Sequence, residues 1–600
     1  MRLLGILNPS ERRWALFLSL LMLIGMGFEM LSVGLILPVI SVLLNPDLAA
    51  NYSGLVSFLP VLQGYEKHRT IIIVMTALVI LYLIKTVFLA FLAWAQARFS
   101  YGLLATISQR LFTVYLSQPY TFHLQRNSAE LIRNAVTETQ VFALNVISPA
   151  LSLTSEGVVF LGLCGLMIYV EPVGAAVVIL VLGVAAGAFV WLSHTRISSW
   201  GAARQYHEGE RIQHLQQGLG AAKDVILLGR AEDFFAQYRV HSNGSARVSG
   251  LQSAISQLPR LLLELLAFLG MAALVLSMLA QGREAAAILP VLGLFAATAL
   301  RLMPSVNRCL IALTSLRYGV PVVDVLAREL GLKIPQMPAG RRHGAREVRH
   351  EIRLDGVSYR YPGSAAPALE DVSLEIRTGE TIGLIGASGS GKSTLVDILL
   401  GLLPPGKGTV WVNGVDIQAD LRSWQDQIGY VPQSIFLTDD TLRRNIAFGL
   451  PDAVIREDSI RRCVKAAQLD EFVSSLPEGL ETRVGERGIR LSGGQRQRIG
   501  IARALYHDPA VLMLDEATSA LDGATESDVM DAIHALHGQK IIIIVAHRLT
   551  TVAQCDRIYR LSKGRIAEVG PPALMLRERS VAPSGACAYA GGISAREHAQ

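Results

Sequence analysis

Between Trp14 and Leu313 the chain carries six apolar stretches, each long enough to cross a bilayer. A span needs about 20 apolar residues, and inside hydrocarbon only a helix or a closed barrel satisfies its own backbone. Runs of this length read as helices. They extend from Trp14 to about Leu44, Ile71 to about Ala95, about Val141 to Val170, about Val173 to Leu192, Leu261 to about Ala280, and about Ala285 to Leu313. Six crossings return the chain to its starting side. Arg2, Arg12 and Arg13 mark that side as cytoplasmic by the positive-inside rule. The connections are uneven. Segments 97–138 and 193–255 are polar but keep helical apolar spacing, so the helices there extend past the bilayer. The turns near 171 and 282 are short.

The chain has 600 residues, 51% hydrophobic and 17% charged, and those averages conceal a split. After residue 330 the long apolar runs stop and a soluble α/β pattern begins. The expected division is a transmembrane domain over 1–330, a Pro- and Gly-containing linker over 331–350, an α/β domain over 351–575 and a disordered tail over 576–600. The net charge of +6 is accounted for by basic loops and calls for no nucleic-acid partner. Five cysteines, at 164, 309, 463, 555 and 587, show neither disulfide nor metal spacing.

In the second half, the apolar run Thr381–Ile385 leads into Gly386, Ala387, Ser388, Gly389, Ser390, Gly391, Lys392 and Ser393, and a helical pattern follows from Thr394. This is the pattern GxxxxGK[ST] between a strand and a helix. Glycines there turn backbone N–H groups toward phosphate oxygens, the lysine reaches the β and γ phosphates, and the serine hydroxyl can hold Mg²⁺. About a hundred residues later, Ser492, Gly493, Gly494 and Gln495 open another helical run, a second anion-binding helix start. The buried-strand run Ala510–Leu514 ends in Asp515 and Glu516. Of two carboxylates at a strand end, the first can hold Mg²⁺ and the second can polarise an attacking water. Another strand, Ile541–Val545, ends near His547.

These pieces, in this order, resemble the ATP-binding cassette (ABC) ATPases over about residues 350–575. The resemblance implies roles. Gly386–Ser393 is the nucleotide loop, and Tyr361 stacks on adenine. Ser492–Gln495 is the signature that meets ATP held by another cassette. Asp522 belongs to the D-loop, and His547 is the switch histidine. Gln433 is the Q-loop glutamine, which senses Mg²⁺ together with Ser393 and Asp515. Glu516 is the catalytic carboxylate. One cassette per chain then requires a homodimer that binds ATP and Mg²⁺ at two equivalent sites. The six-helix half resembles the exporters of this family, in which long cytoplasmic extensions end in short coupling helices. By position these are about 117–125 and 221–231.

Charges inside spans cost about 2.5–3.5 kcal/mol each, so Lys85, Arg301 and Arg308, with Arg260 at the start of the fifth span, need a reason. One reason is a basic cavity for a phosphate or pyrophosphate head group. The other is structural, with Glu29 pairing Lys85 and the arginines reaching the interface. The segments 299–308, 258–260 and 37–40 look like those of bacterial lipid-linked oligosaccharide flippases. That likeness implies an ATP-hydrolysing flippase in the bacterial inner membrane, carrying a polyprenyl-pyrophosphate-linked saccharide. The alternative within the class is an exporter of another amphiphile: a lipid A precursor, a drug or a peptide. An ATP-gated channel or regulator fits less well, because Glu516 and the signature are intact. A soluble DNA-repair ATPase is excluded by the six spans.

Overall fold

The structure is a computed structural model, which describes residues 5–34, 67–170, 172–280, 285–334, 351–517, 523–546, 548 and 551–576. The chain divides into two compact units. One is Met1–Gln118 with Phe122–Pro335, and the other is Pro119–Thr121 with Gln336–Gln600.

The first unit is helical. Its long elements are α1 (Pro9–Gly34), α2 (Lys67–Leu116), α3 (Ser148–Val170), α4 (Pro172–Gly220), α5 (Ala231–Ala280) and α6 (Ala285–Leu330). Among the described residues, six helices are long and apolar enough to cross a membrane. Several are much longer than a span. The 50 residues of α2 rise about 75 Å at 1.5 Å each, against about 30 Å of hydrocarbon. The 49 residues of α4 and 50 of α5 are similar. Short helices Tyr120–Gln125 and Ala222–Leu227 lie within the segments 117–125 and 221–231 that the resemblance proposed by position as coupling segments. The expected end of the first span beyond Gly34, most of the linker and the tail beyond 576 lie outside the described residues.

Packing in this unit follows small residues and apolar stripes. Phe142, Ile107, Leu111, Val322 and Leu326 are fully buried in one cluster. Leu163, Leu263 and Leu302 centre a second. A Cβ on Gly201 would stand 2.2 Å from the Tyr318 carbonyl oxygen, so glycine is what lets α4 lie against α6. The run leading into α3 is interrupted by two π-helical turns, Asn134–Glu138 and Phe142–Ile147. They bury Glu138, whose carboxylate accepts a 2.8 Å bond from Arg204 of α4.

The second unit contains two sheets. The antiparallel one has the order β2-β1-β4-β5, from β1 (Glu351–Tyr359), β2 (Leu369–Arg377), β4 (Lys407–Val412) and β5 (Val415–Asp416). The other has the order β10-β9-β3-β8-β7-β6. Its strands are β3 (Thr381–Gly386), β6 (Ile428–Val431), β7 (Val511–Asp515), β8 (Ile541–Val545), β9 (Arg557–Ser562) and β10 (Arg565–Gly570). Strands β6, β7, β8, β3 and β9 are parallel. Every residue of β8 is buried, as a parallel strand covered on both faces requires. Side chains alternate between faces: Ile541, Ile543 and Val545 enter the core shared with the antiparallel sheet, and Ile542 and Ile544 enter the other. Helices α7 (Lys392–Leu399), α8 (Gly493–Leu505) and α9 (Gly523–His534) complete the elements that matter below.

Candidate functional site

Strands β3, β8, β7 and β6 are neighbours running the same way, so their carboxyl ends, Gly386, Val545, Asp515 and Val431, line up along one edge. In open α/β sheets that edge is where ligands bind. The alignment brings together three segments far apart in sequence. Glu516, just past β7, donates its backbone N–H to the Val545 carbonyl at 3.0 Å. Its φ of 52° is in the left-handed region, which turns the chain sharply after Asp515. Gln433, two residues past β6, donates from Nε2 to Glu516 Oε2 at 2.8 Å.

The loop after β3 depends on its glycines. Gly391 has φ 102° and is the N-cap of α7, and its Cβ would lie 2.8 Å from the Ala368 carbonyl. A Cβ on Gly386 would lie 2.4 Å from the Leu561 carbonyl and 2.6 Å from Ser390 Oγ. The loop from Gly386 to Ser390 lines a cleft of about 500 Å³, together with Arg560 and Lys563. Ser390 Oγ is buried there without a hydrogen-bond partner among the described residues. Lys392 is buried, and its Nζ donates to the Gly386 and Ala387 carbonyls at 2.9 and 3.1 Å. Burial pushes its pKa down, and the carboxylates of Glu516 and Asp515 work against that. Ser393 is exposed on the first turn of α7, while Thr394 is buried, its hydroxyl 3.2 Å from that of Tyr361. This cradle, with a helix N-terminus, an ammonium and an unpartnered hydroxyl, fits a polyphosphate. Ser393, Gln433 and Asp515 offer the oxygen donors that Mg²⁺ prefers.

At the start of α8, Ser492 and Gln495 form a reciprocal capping box. Gln495 N–H donates to Ser492 Oγ at 3.2 Å, and Ser492 N–H donates to Gln495 Oε1 at 2.8 Å. Gly493 lines a second cleft of about 500 Å³ with Gln433, Phe436, Arg487 and Arg496. Gly493 of the signature and the phosphate loop thus line different clefts of one chain. Asp522 and His547 lie outside the described residues.

Some site residues were not legible in the motifs. Asp397, on α7, is half-buried, and burial reinforced by Asp515 pushes its carboxyl up to about 6. The Tyr430 hydroxyl beside Asp515 is pushed up by burial. Arg503 on α8 is lowered to about 10 by burial and donates to the Asn445 and Phe436 carbonyls at 2.8 and 2.9 Å. Arg560 and Lys563 reach the phosphate cleft from β9 and the turn after it, which only the fold brings near.

The membrane charges are mostly paired. Lys85 is buried and donates to Glu29 Oε2 at 2.7 Å and Ser32 Oγ at 2.9 Å. Arg308 pairs with Glu156 at 2.8 Å and Arg260 with Glu264 at 2.9 Å. Each of these three cations has its own carboxylate; of the three pairs, the sequence reading expected only Lys85 with Glu29 and had the arginines reaching the interface instead. Arg301 is on α6, its side chain outside the described set.

Known proteins add to this geometry. Residues 369–519 match the ABC transporter family, and residues 16–292 match the ABC transporter transmembrane region. An ATP-dependent lipid A-core flippase of Shewanella sp. (strain MR-4) is 30% identical over 576 residues, covering 95% of this chain and 94% of its own. One from Thiobacillus denitrificans is 30% identical over 589 residues, covering 96% of each. A solved bacterial Atm1-family ABC exporter with ATP bound shares the fold, with a TM-score of 0.76 at 23% identity, covering 97% of this chain and 100% of that one. The narrower likeness to oligosaccharide flippases finds no support among these relatives. A P-loop ATPase unit and six apolar helices on one polypeptide, matched along nearly the whole length, place this chain in the ABC transporter family as an exporter.

Proposed function

We propose that this exporter is a homodimeric flippase that uses ATP hydrolysis to move a lipid of the lipid A class across the bacterial inner membrane. The observation that carries the substrate class is the full-length similarity, 30% over 576 residues, to proteins named lipid A-core flippases. The polyprenyl-pyrophosphate saccharide reading rested on a likeness taken to span most of the chain, about residues 5–570, and the relatives matched end to end favour the amphiphile alternative instead. Both ligands are lipids with phosphorylated, sugar-bearing heads, so the expectation of an anionic head group carries over.

The ATPase unit faces the cytoplasm in this reading, because its nucleotide is there. Lys392 and the loop 386–391 hold the β and γ phosphates. Ser393, Asp515 and Gln433 would hold Mg²⁺, which supplies charge neutralisation at the transferring phosphoryl group. Glu516 takes a proton from the attacking water, and Gln433 orients that carboxylate through its 2.8 Å hydrogen bond. Tyr361 stacks on the base. Asp522 and His547 act as D-loop and switch residues. Ser492–Gln495 complete the site of the second chain, which accounts for the two clefts of a single chain being separate. Of the basic residues in the membrane half, Arg301 stays a candidate contact for the anionic head on the sequence reading alone. Lys85, Arg260 and Arg308 would engage it only by exchanging their present carboxylate partners.

The test is transport in proteoliposomes with labelled lipid A-core and, separately, a labelled polyprenyl-pyrophosphate oligosaccharide. ATP-dependent movement of the first alone supports the proposal. Movement of the second alone restores the earlier reading.

A further inference from the structure

Outside the nucleotide site, one group of titratable side chains faces inward between two long helices. His207, Glu210 and His214 recur at three- and four-residue intervals on α4, so they form one stripe of that helix. His241 comes from α5, which packs along α4. The His241 ring lies between the two histidines of the stripe, its centroid 5.4 Å from each. Its Nδ1 is 3.2 Å from Nδ1 of His207. One ligand atom from each of Glu210, His214 and His241 falls within 4.8 Å of the others.

We propose that Glu210, His214 and His241 bind a divalent transition-metal ion, with zinc the best match to the donor set, that joins α4 to α5. Two imidazoles and a carboxylate with a fourth position left for water is a known zinc arrangement. Tetrahedral ligands at about 2.0–2.1 Å from zinc stand about 3.3 Å apart, so binding would draw these ligand atoms together from their present separations of up to 4.8 Å. The surroundings support a ligand role rather than a solvated polar face. His214 Nδ1 is buried and has no hydrogen-bond partner among the described residues. The neighbouring cation, Arg211, is committed to Glu208 at 2.7 Å, and Glu208 also accepts from Ser245. Glu210 is left with the histidines, its carboxylate 4.0 Å from His214 Nε2.

His207 is the positioning residue. When His241 Nδ1–H donates to His207 Nδ1, the lone pair of His241 Nε2 is free on the opposite side of the ring, toward the Glu210–His214 end of the stripe. A ligating histidine that donates its second ring N–H to a fixed partner is the usual outer-shell device. The fold makes room for that partner. A Cβ on Gly244 would lie 2.6 Å from Cε1 and Nε2 of His207, so only glycine at 244 leaves the imidazole its place. A bound ion would cross-link the arms of the hairpin that carries the short helix Ala222–Leu227.

The experiment uses the full chain, purified in detergent without a polyhistidine tag and stripped of metal, titrated with Zn²⁺ calorimetrically and with Co²⁺ by visible absorption. The expected result is one ion per chain and tetrahedral Co²⁺ bands. His214→Ala and His241→Ala should each abolish both signals. His207→Ala should weaken binding by about 10–100-fold, the usual loss for an outer-shell partner. His194→Ala, an exposed histidine elsewhere on α4, should change nothing. ATPase activity and size-exclusion behaviour report folding of the variants. If the His→Ala chains fail to fold, the nearly isosteric Glu210→Gln decides, and unchanged affinity in it overturns the proposal. So does a wild-type chain that takes up no Zn²⁺ at micromolar free concentration.

Discussion

Glu516 receives a hydrogen bond from Gln433, and a residue-scale prediction follows from that contact. Glu516→Gln keeps the shape but loses the basic carboxylate, so turnover should fall by about 10²–10⁴-fold, the usual contribution of a general base. ATP binding, followed with a fluorescent analogue, should persist. Full turnover would remove Glu516 from the chemistry. Asp397 gives a pH prediction. Its carboxyl titrates at about 6 in the fold, above the ordinary value near 4. The folded state therefore binds that proton more tightly than the unfolded state. Stability from this group is full below about pH 4, is lost as pH rises to about 6, and changes no further above that. Asp397→Asn should remove this loss, so its thermal stability relative to wild type should improve between pH 4 and 6. A constant difference across that range would show that Asp397 is not the titrating group. At this scale the sequence was informative wherever chemistry demands a fixed residue type at fixed spacing, as from Gly386 to Ser393. It said nothing of Asp397, Arg560 or Lys563, whose surroundings depend on strand order.

Among elements, the Lys85–Glu29 pair joins α2 to α1. Removing one member of a buried pair leaves an uncompensated charge and costs about 3–5 kcal/mol, while replacing both by apolar residues is far milder. Lys85→Met should therefore lower thermal stability more than the double variant Glu29→Met/Lys85→Met. If the double variant is the less stable, the pair is not acting as a structural clasp. Retained transport in the double variant would also remove Lys85 from the substrate contacts. Gly201→Val would force a side chain into the Tyr318 carbonyl and should cost about 1–3 kcal/mol as overpacking, read as a fall in Tm. Element identities were legible because length and period are strong signals: long apolar runs for α1 to α6, short buried runs for β3, β7 and β8. Three things were not. The close approach of α4 and α6 at Gly201, the π-helical turns before α3 and the meeting of His207, Glu210, His214 and His241 are tertiary facts. A glycine or a histidine in a helical pattern does not announce which neighbour it will face.

For the whole molecule, the proposal that two chains build each site makes a complementation prediction. Lys392→Ala disables the phosphate loop and Ser492→Arg the signature, so each variant alone should be inactive. Mixed chains would form dimers in which one site carries both defects and the other is intact. Such mixtures should regain ATPase activity, whereas sites completed within one chain would stay dead on mixing. The overall architecture was readable from sequence because each half must solve its own solvent problem, hydrocarbon in one and water in the other. The cargo was not readable, since apolar helices resemble one another and each of the three described cations singled out in the spans is already paired. The most direct test of the account is ATP-dependent movement of labelled lipid A-core across proteoliposome membranes, run beside the Glu516→Gln chain. The account predicts movement by wild type and none by the variant. Equal movement by both, or vigorous wild-type ATP hydrolysis with no lipid moved, would contradict it.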